Sequence, residues 1–280
     1  MFTVNARYVR TFFPRRPEWS HKGDFGRLLV IGGSRRYTGA IALNALAALR
    51  TGTDYLTIMA PRRAADIAAS FTPDLIAEPV SADYLTPTHL RQALELAKGN
   101  DAVLIGCGTE RRPQTFTFIQ GFVARSPVPV VIDDDGIFAV AAKRSIIKKT
   151  HIFTPQAHEF QILSGVRVDN TIPNRVAAVE GFVKKYPCTL LLKGHHDVMS
   201  DGNETAVNKT GNAFMTKAGN GCVLAGVVGS LLSRQATPFE AAAAGSFIMG
   251  TAGVRATRRQ GPGTLASDII NELQYVVGGS

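Results

Sequence analysis

The residues best placed to do chemistry lie in the segment KAGNGCVLAG (217–226), where Gly219, Gly221 and Gly226 mark a change from a polar loop to an apolar helix. Glycine allows the sharp dihedrals of such a turn, and the first amides of a helix carry about half a positive charge with no backbone acceptor. This arrangement predicts an anion hole. A thiol, Cys222, sits where the helix opens. Upstream, Asn208, Thr210, Gly211 and Asn212 form a second polar turn, and Lys193 with Gly194 closes the apolar run TLLLKG. Other unusual residues follow strand-like runs: Gly32-Gly33-Ser34, Gly106-Cys107-Gly108, Asp133-Asp134-Asp135, and Thr154-Pro155 with His158-Glu159 beyond. Each group has a plain structural reading as a tight turn, a helix start or a solvated pair. Their common position after strands argues for a shared site.

The elements that must position these residues are legible as alternation. RLLVIGG (27–33), DYLTIM (54–59), DAVLIG (101–106), PVVID (129–133), HIFTP (151–155) and TLLLKG (189–194) are short β-rich runs separated by helical stretches such as TGAIALNALAALRTG and RRAADIAAS. Continuous apolar strands between helices belong to a parallel sheet buried on both faces. The expected fold is therefore doubly wound α/β, with ligands at the carboxyl ends of the strands. DVMSDGNETAVN predicts a small hairpin turning at Asp201-Gly202, and everything after Gly219 reads as helical. With no linker, repeat or low-complexity segment, residues 1–280 are expected to form one domain, with 1–20 as an N-terminal extension.

Composition bounds the function. A chain of 280 residues with 45% hydrophobic side chains can bury a large core without disulfides or metal. Three cysteines without a CxxC pair argue against a disulfide framework or a zinc site. The N-terminus lacks the apolar core of a signal peptide, and residues 241–254 are too short and too polar to span a bilayer. A soluble cytoplasmic protein without a membrane partner is expected. The 31 basic and 22 acidic residues give a net charge of +9, but the basic residues are scattered doublets such as Arg35-Arg36 and Arg111-Arg112. Without a basic stripe or stacking aromatics, nucleic acid is not the expected partner, and an anionic small molecule fits better.

The chain resembles the ADP/ATP-dependent NAD(P)H-hydrate dehydratases, ribokinase-like enzymes that repair hydrated nicotinamide cofactors. The resemblance runs from about residue 21 to 275 through HKGDFGRLLVIGGSRRYTGA, VVIDDDGI, FTPQAHEFQILSG, LLLKGHHDV, NKTGNAFMTKAGNGCVLAG and LASDI. It implies a ribokinase-like fold: a mostly parallel sheet covered by helices on both faces, with a small hairpin near the nucleotide site. It also implies ADP or ATP and Mg2+ as cofactors, hydrated NADH or NADPH as substrate, and a homo-oligomer such as a tetramer. Ala40, Gly108 and Gln156 match substrate positions. Lys193, Gly194, His195, His196 and Asp197 match the segment lining the nucleotide, joined by Asn208, Gly219, Asn220 and Gly221.

The sequence departs from the family pattern where a base is needed. Gly-x-Gly is normally followed by an aspartate that activates the substrate hydroxyl, and here Cys222 takes its place. Gln156 stands where the family has histidine, and Lys217 beside the turn could contact phosphate or crowd it. A thiol is a weak proton acceptor unless ionised, so Asp133, Asp135 and Glu159 are the alternative bases. The expected activity is phosphorylation of the hydrate hydroxyl and elimination of phosphate, at a reduced rate. The alternatives are a nucleotide-binding relative that has lost catalysis and a kinase for another small hydroxyl compound.

Overall fold

Runs of four or five residues such as RLLVI and AVLI are too short to bury themselves as helices, so their backbone groups pair in a sheet. The computed structural model describes residues 1–278. Its strands are β1 (Phe2–Thr3), β2 (Arg27–Ile31), β3 (Tyr55–Pro61), β4 (Ile76–Val80), β5 (Ala102–Ile105), β6 (Val130–Ile132), β7 (His151–Phe153), β8 (Thr189–Leu192), β9 (Asp197–Ser200) and β10 (Thr205–Asn208). They form one sheet in the order β1-β10-β9-β8-β7-β6-β5-β2-β3-β4. From β8 to β4 every pairing is parallel, whereas β9 is antiparallel to both β8 and β10. The last two strands are the hairpin expected around Asp201-Gly202.

Helices cover both faces. They are α1 (Ala6–Arg10), α2 (Gly39–Thr51), α3 (Arg62–Ala69), α4 (Leu90–Lys98), α5 (Pro113–Arg125), α6 (Asp135–Ala141), α7 (Ala157–Ser164), α8 (Ile172–Lys185), α9 (Asn220–Ser233), α10 (Pro238–Gln260) and α11 (Ala266–Val277). Period-two alternation divides β2 between two cores: Leu28 and Val30 pack with α2, α9, α10 and α11, while Leu29 and Ile31 pack with α4, α5 and α8. This is why the central strands read as continuous apolar runs. None of the described helices is long and apolar enough to cross a membrane.

Two edge elements differ from the sequence expectation. Ile76–Val80 pairs with β3 as an edge strand, although IAEPV is not an apolar run. An edge strand is solvated on one side and tolerates Pro79, so it lacks the signal of a buried strand. At the other edge, the segment expected as an extension supplies β1, which pairs with β10 through Phe2↔Ala206 and Thr3↔Val207. Arg234 Nη2 donates to Phe12 O at 3.1 Å, and its guanidinium lies 4.7 Å from the centre of the Phe13 ring.

The helix bearing the glycine turn is held by close contact with α2. A Cβ at Gly226 would strike the backbone oxygen of Asn44 and lie 3.0 Å from Ala47 Cβ. This explains the small residues of both helices: any side chain at 226 forces α9 away from α2 and moves the turn at its head. Gly226→Ala is expected to destabilise the fold by about 1–3 kcal/mol, as overpacking does. A denaturation midpoint equal to the parent's would show that the two helices have slack.

Candidate functional site

The carboxyl ends of β2, β5, β6, β7 and β8 deliver their loops to one edge of the sheet, where α9 begins. Gly219 caps α9 in the left-handed region (φ 94°). The first intrahelical bond of the turn is Val223 N to Gly219 O at 3.0 Å. The amides of Gly221 and Cys222 precede it, so they are among the donors that a helix start leaves free for an anion.

Lys193, one residue beyond β8, points into this turn. Its ammonium lies 3.3 Å from where a Cβ on Gly221 would sit. It pairs with Asp133 Oδ1 at 2.9 Å and lies 3.8 Å from Glu159 Oε2. The Asp133 side chain is 2% exposed, Glu159 7% and Lys193 18%. Burial disfavours the Lys193 ammonium, but the Asp133 and Glu159 carboxylates outweigh it and hold its pKa above the ordinary value. Burial pushes Glu159 up, with Lys193 opposing. Thr154 Oγ1 donates to Asp133 Oδ1 at 2.8 Å, so that oxygen carries two strong donors. Asp133 Oδ2 receives only the Cys107 thiol at 3.5 Å and would lie 3.8 Å from a Gly221 Cβ.

The three consecutive aspartates do different work. Asp133 faces the lysine and the glycine turn. Asp134 adopts φ 50° at the start of α6, and its Oδ2 accepts the Gly108 amide at 3.0 Å. Asp135 accepts from the Glu110 amide at 2.9 Å and from Arg111 Nε at 2.8 Å, an ion pair that holds the loop after β5. Gly106 is obligatory beside them: with φ 120°, a Cβ there would collide with Asp133 O and lie 2.6 Å from Gly136 N.

The other expected residues fall into two groups around this centre. On the substrate side, Gly108 (φ 68°) abuts Ala40, whose Cβ would lie 3.0 Å from a Cβ on Gly108. Gln156 caps α7: its backbone N–H and its Nε2 both donate to Glu159, at 2.8 and 3.1 Å. On the hairpin side, Asp197 accepts from Gly194 N at 2.9 Å and Ser246 Oγ at 2.6 Å, and burial raises its pKa. Asn208 donates to Ser246 O at 3.1 Å. The rings of His195 and His196 are 4.4 Å apart. Lys217 turns to the neighbouring loop, where its ammonium donates to Pro262 O at 2.6 Å.

Two functional-looking side chains escaped the sequence reading. Arg175, 3% exposed on α8, donates through Nη2 to Leu192 O (3.0 Å) and Lys193 O (2.9 Å), fixing the strand end that carries the lysine. Asn44, fully buried on α2, donates from Nδ2 to Cys222 O (2.7 Å) and to Cys107 Sγ (3.5 Å). One signal for it was a lone amide within the small apolar run IALNALAAL. Among the described residues, buried polar atoms without a partner include Asn220 Oδ1 and His196 Nδ1. Both belong to residues expected to line the nucleotide. Their free valences are what a polar ligand would satisfy. The described residues contain no cluster of three or more His, Cys, Asp or Glu that could hold a metal. A cavity of about 1070 Å³ lies elsewhere, beside α8, lined by residues including Arg144, Arg167 and Lys185. It includes none of the strand-end residues.

Residues 28–275 match the profile of the NAD(P)H-hydrate dehydratase family. The chain is 35% identical over 271 residues to the ADP-dependent (S)-NAD(P)H-hydrate dehydratase of Cenarchaeum symbiosum, covering 96% of this chain and 94% of that one. It is 38% identical over 267 residues to the bifunctional NAD(P)H-hydrate repair enzyme Nnr of Pyrobaculum aerophilum, covering 95% of this chain and 53% of the relative. The chain thus spans about half the length of that longer relative. In structure it is similar to the ADP/ATP-dependent NAD(P)H-hydrate dehydratase of Bacillus subtilis co-crystallised with ATP/Mg2+, with a TM-score of 0.82 at 23% identity over 98% of this chain and 96% of that chain. The ribokinase-like α/β fold expected from the sequence is the fold observed.

Asp134 provides a test of the electrostatics. Burial, then the neighbouring Asp135 charge, raises its pKa to about 6, with the Gly108 amide opposing. A carboxyl raised on folding favours the fold fully below its unfolded value, about 4, and loses that contribution as pH climbs through 6. Asp134→Asn should therefore match the parent at pH 4 and exceed it by about 1–3 kcal/mol at pH 7.5 in denaturant unfolding. The same offset at both pH values would contradict this.

Proposed function

The chain belongs to the NAD(P)H-hydrate dehydratase family, and from that premise we propose that it repairs hydrated NADH or NADPH through nucleotide-dependent phosphorylation and elimination. One observation carries the reading: a buried ammonium, Lys193, faces the amides of the Gly219–Gly221 turn with two carboxylates behind it. A transferring phosphoryl group asks for positioned positive charge and donors in a site with little water. ADP or ATP would lie along residues 193–197 and the hairpin, with its terminal phosphate at the turn and the hydrate hydroxyl approaching from Ala40 and Gly108.

Magnesium would travel with the nucleotide. It commonly takes substrate phosphates and one or two carboxylates, keeping several waters, so the lack of a metal cage suits it. Asp133 and Glu159 are the acidic side chains that would face it, and its contribution is to neutralise phosphate charge.

The proton is the weak point. Cys222 lies on the first turn of α9, and its backbone oxygen is held by Asn44. Among the expected carboxylates, Asp135 is taken up by Arg111 and the Glu110 amide. Both Glu159 oxygens accept from Gln156. Asp133 Oδ2 carries the lightest load and stands nearest the turn. We assign proton acceptance to Cys222, with Asp133 as the substitute. The departure at Cys222 also favours a second reading, a nucleotide-binding family member without turnover. A single ribokinase-like domain acting as a cytoplasmic homo-oligomer completes the proposal.

The test is recovery of NADH absorbance from its hydrate with magnesium and ADP or ATP. The parent should turn over slowly, and Cys222→Asp should be faster by less than the about 10²–10⁴-fold that a full general base is worth, because it replaces a weak base rather than none. Nucleotide binding with no turnover by either protein would overturn the repair assignment in favour of the second reading.

A further inference from the structure

The thiol on the anion turn has a second thiol against it. Cys107 lies between Gly106 (φ 120°) and Gly108 (φ 68°) in the loop after β5, 1% exposed. Its sulfur accepts from Asn44 Nδ2 at 3.5 Å, while the same nitrogen bonds Cys222 O at 2.7 Å. One amide thus clamps both cysteines. The Cys107 thiol, which donates to Asp133 Oδ2 at 3.5 Å, also neighbours the Cys222 side chain. Cys222 is half-buried and more open to solvent, on the first turn of a 14-residue helix. The third cysteine, Cys188, is buried in the opposite core layer.

We propose that Cys107 and Cys222 are a reversible dithiol modification site, closed to an intramolecular disulfide by hydrogen peroxide. The Cys222 thiolate attacks one peroxide oxygen: an S–O bond forms, the O–O bond breaks, and the departing hydroxide takes a proton to become water. The Cys107 thiol then attacks the sulfenic sulfur: the S–S bond forms, the S–O bond breaks, and a second water leaves with the thiol proton. Two thiols lose two electrons in all, and one peroxide gains them. The product ties the loop after β5 to the first turn of α9 and removes the thiol from the anion turn. A small dithiol would restore it.

The readout needs no substrate, so it stands or falls apart from the repair reaction. The parent, treated with hydrogen peroxide under native conditions, should lose about 2 Da and, after alkylation of the remaining thiols, yield a Cys107–Cys222 linked peptide. Dithiothreitol should abolish the peptide, and Cys188→Ser should form it unchanged. Cys107→Ser should instead stop at a sulfenic acid on Cys222, gaining about 16 Da and reacting with dimedone. Parent protein that accumulates sulfinic acid on Cys222 without the linked peptide would overturn the proposal, as would a link through Cys188.

Discussion

The site is organised around one buried charge. Lys193 stands at the end of β8, and its ammonium is held at the head of α9 by carboxylates that come from the end of β6 and the start of α7. Removing an ammonium from water costs several kcal/mol unless partners replace its hydration. Asp133 at 2.9 Å and Glu159 at 3.8 Å do so, and Thr154 and Gln156 in turn hold them. The strand order brings β6, β7 and β8 side by side, so three adjacent strand ends deliver the counter-ion, the Thr154 donor and the lysine to one point. Close packing of α9 on α2 at Gly226 then sets the glycine turn across from them.

Much of this frame could be read from residue order, because a sheet buried on both faces leaves long apolar traces and its ligating residues must follow them. The glycine turn, Lys193 and the aspartate triplet were all visible in that way. The division of labour within the triplet was not, since it depends on a positive φ at Asp134 that turns three adjacent carboxylates to three different partners. Arg175 was hidden for a related reason. On α8 it looks like one more solvated charge, and only the fold puts its guanidinium against the carbonyls of Leu192 and Lys193. Lys217 shows the reverse case: its place beside the glycines left both a phosphate contact and crowding open, and only the fold shows its ammonium bonded to Pro262 O.

Cys222 changes the chemistry of this frame without dismantling it. The amides of the turn belong to the backbone and do not depend on the side chain at 222, so the capacity to hold a phosphate is separable from the capacity to accept a proton. The thiol also brings a liability that a carboxylate lacks, because Asn44 holds the Cys222 backbone oxygen and the Cys107 sulfur on one nitrogen. On the proposed reading, nucleotide recognition rests on the backbone of the turn, whereas proton transfer and oxidation sensitivity share the Cys222 thiol.

The most direct test of the central claim is a crystal structure with a non-hydrolysable ATP analogue and magnesium. The account predicts the terminal phosphate on the amides of Gly221 and Cys222, with the Lys193 ammonium in contact and its pairing to Asp133 retained. Phosphates bound elsewhere, for instance in the basic groove by Arg144 and Lys185, would contradict it and remove the reason for the buried lysine.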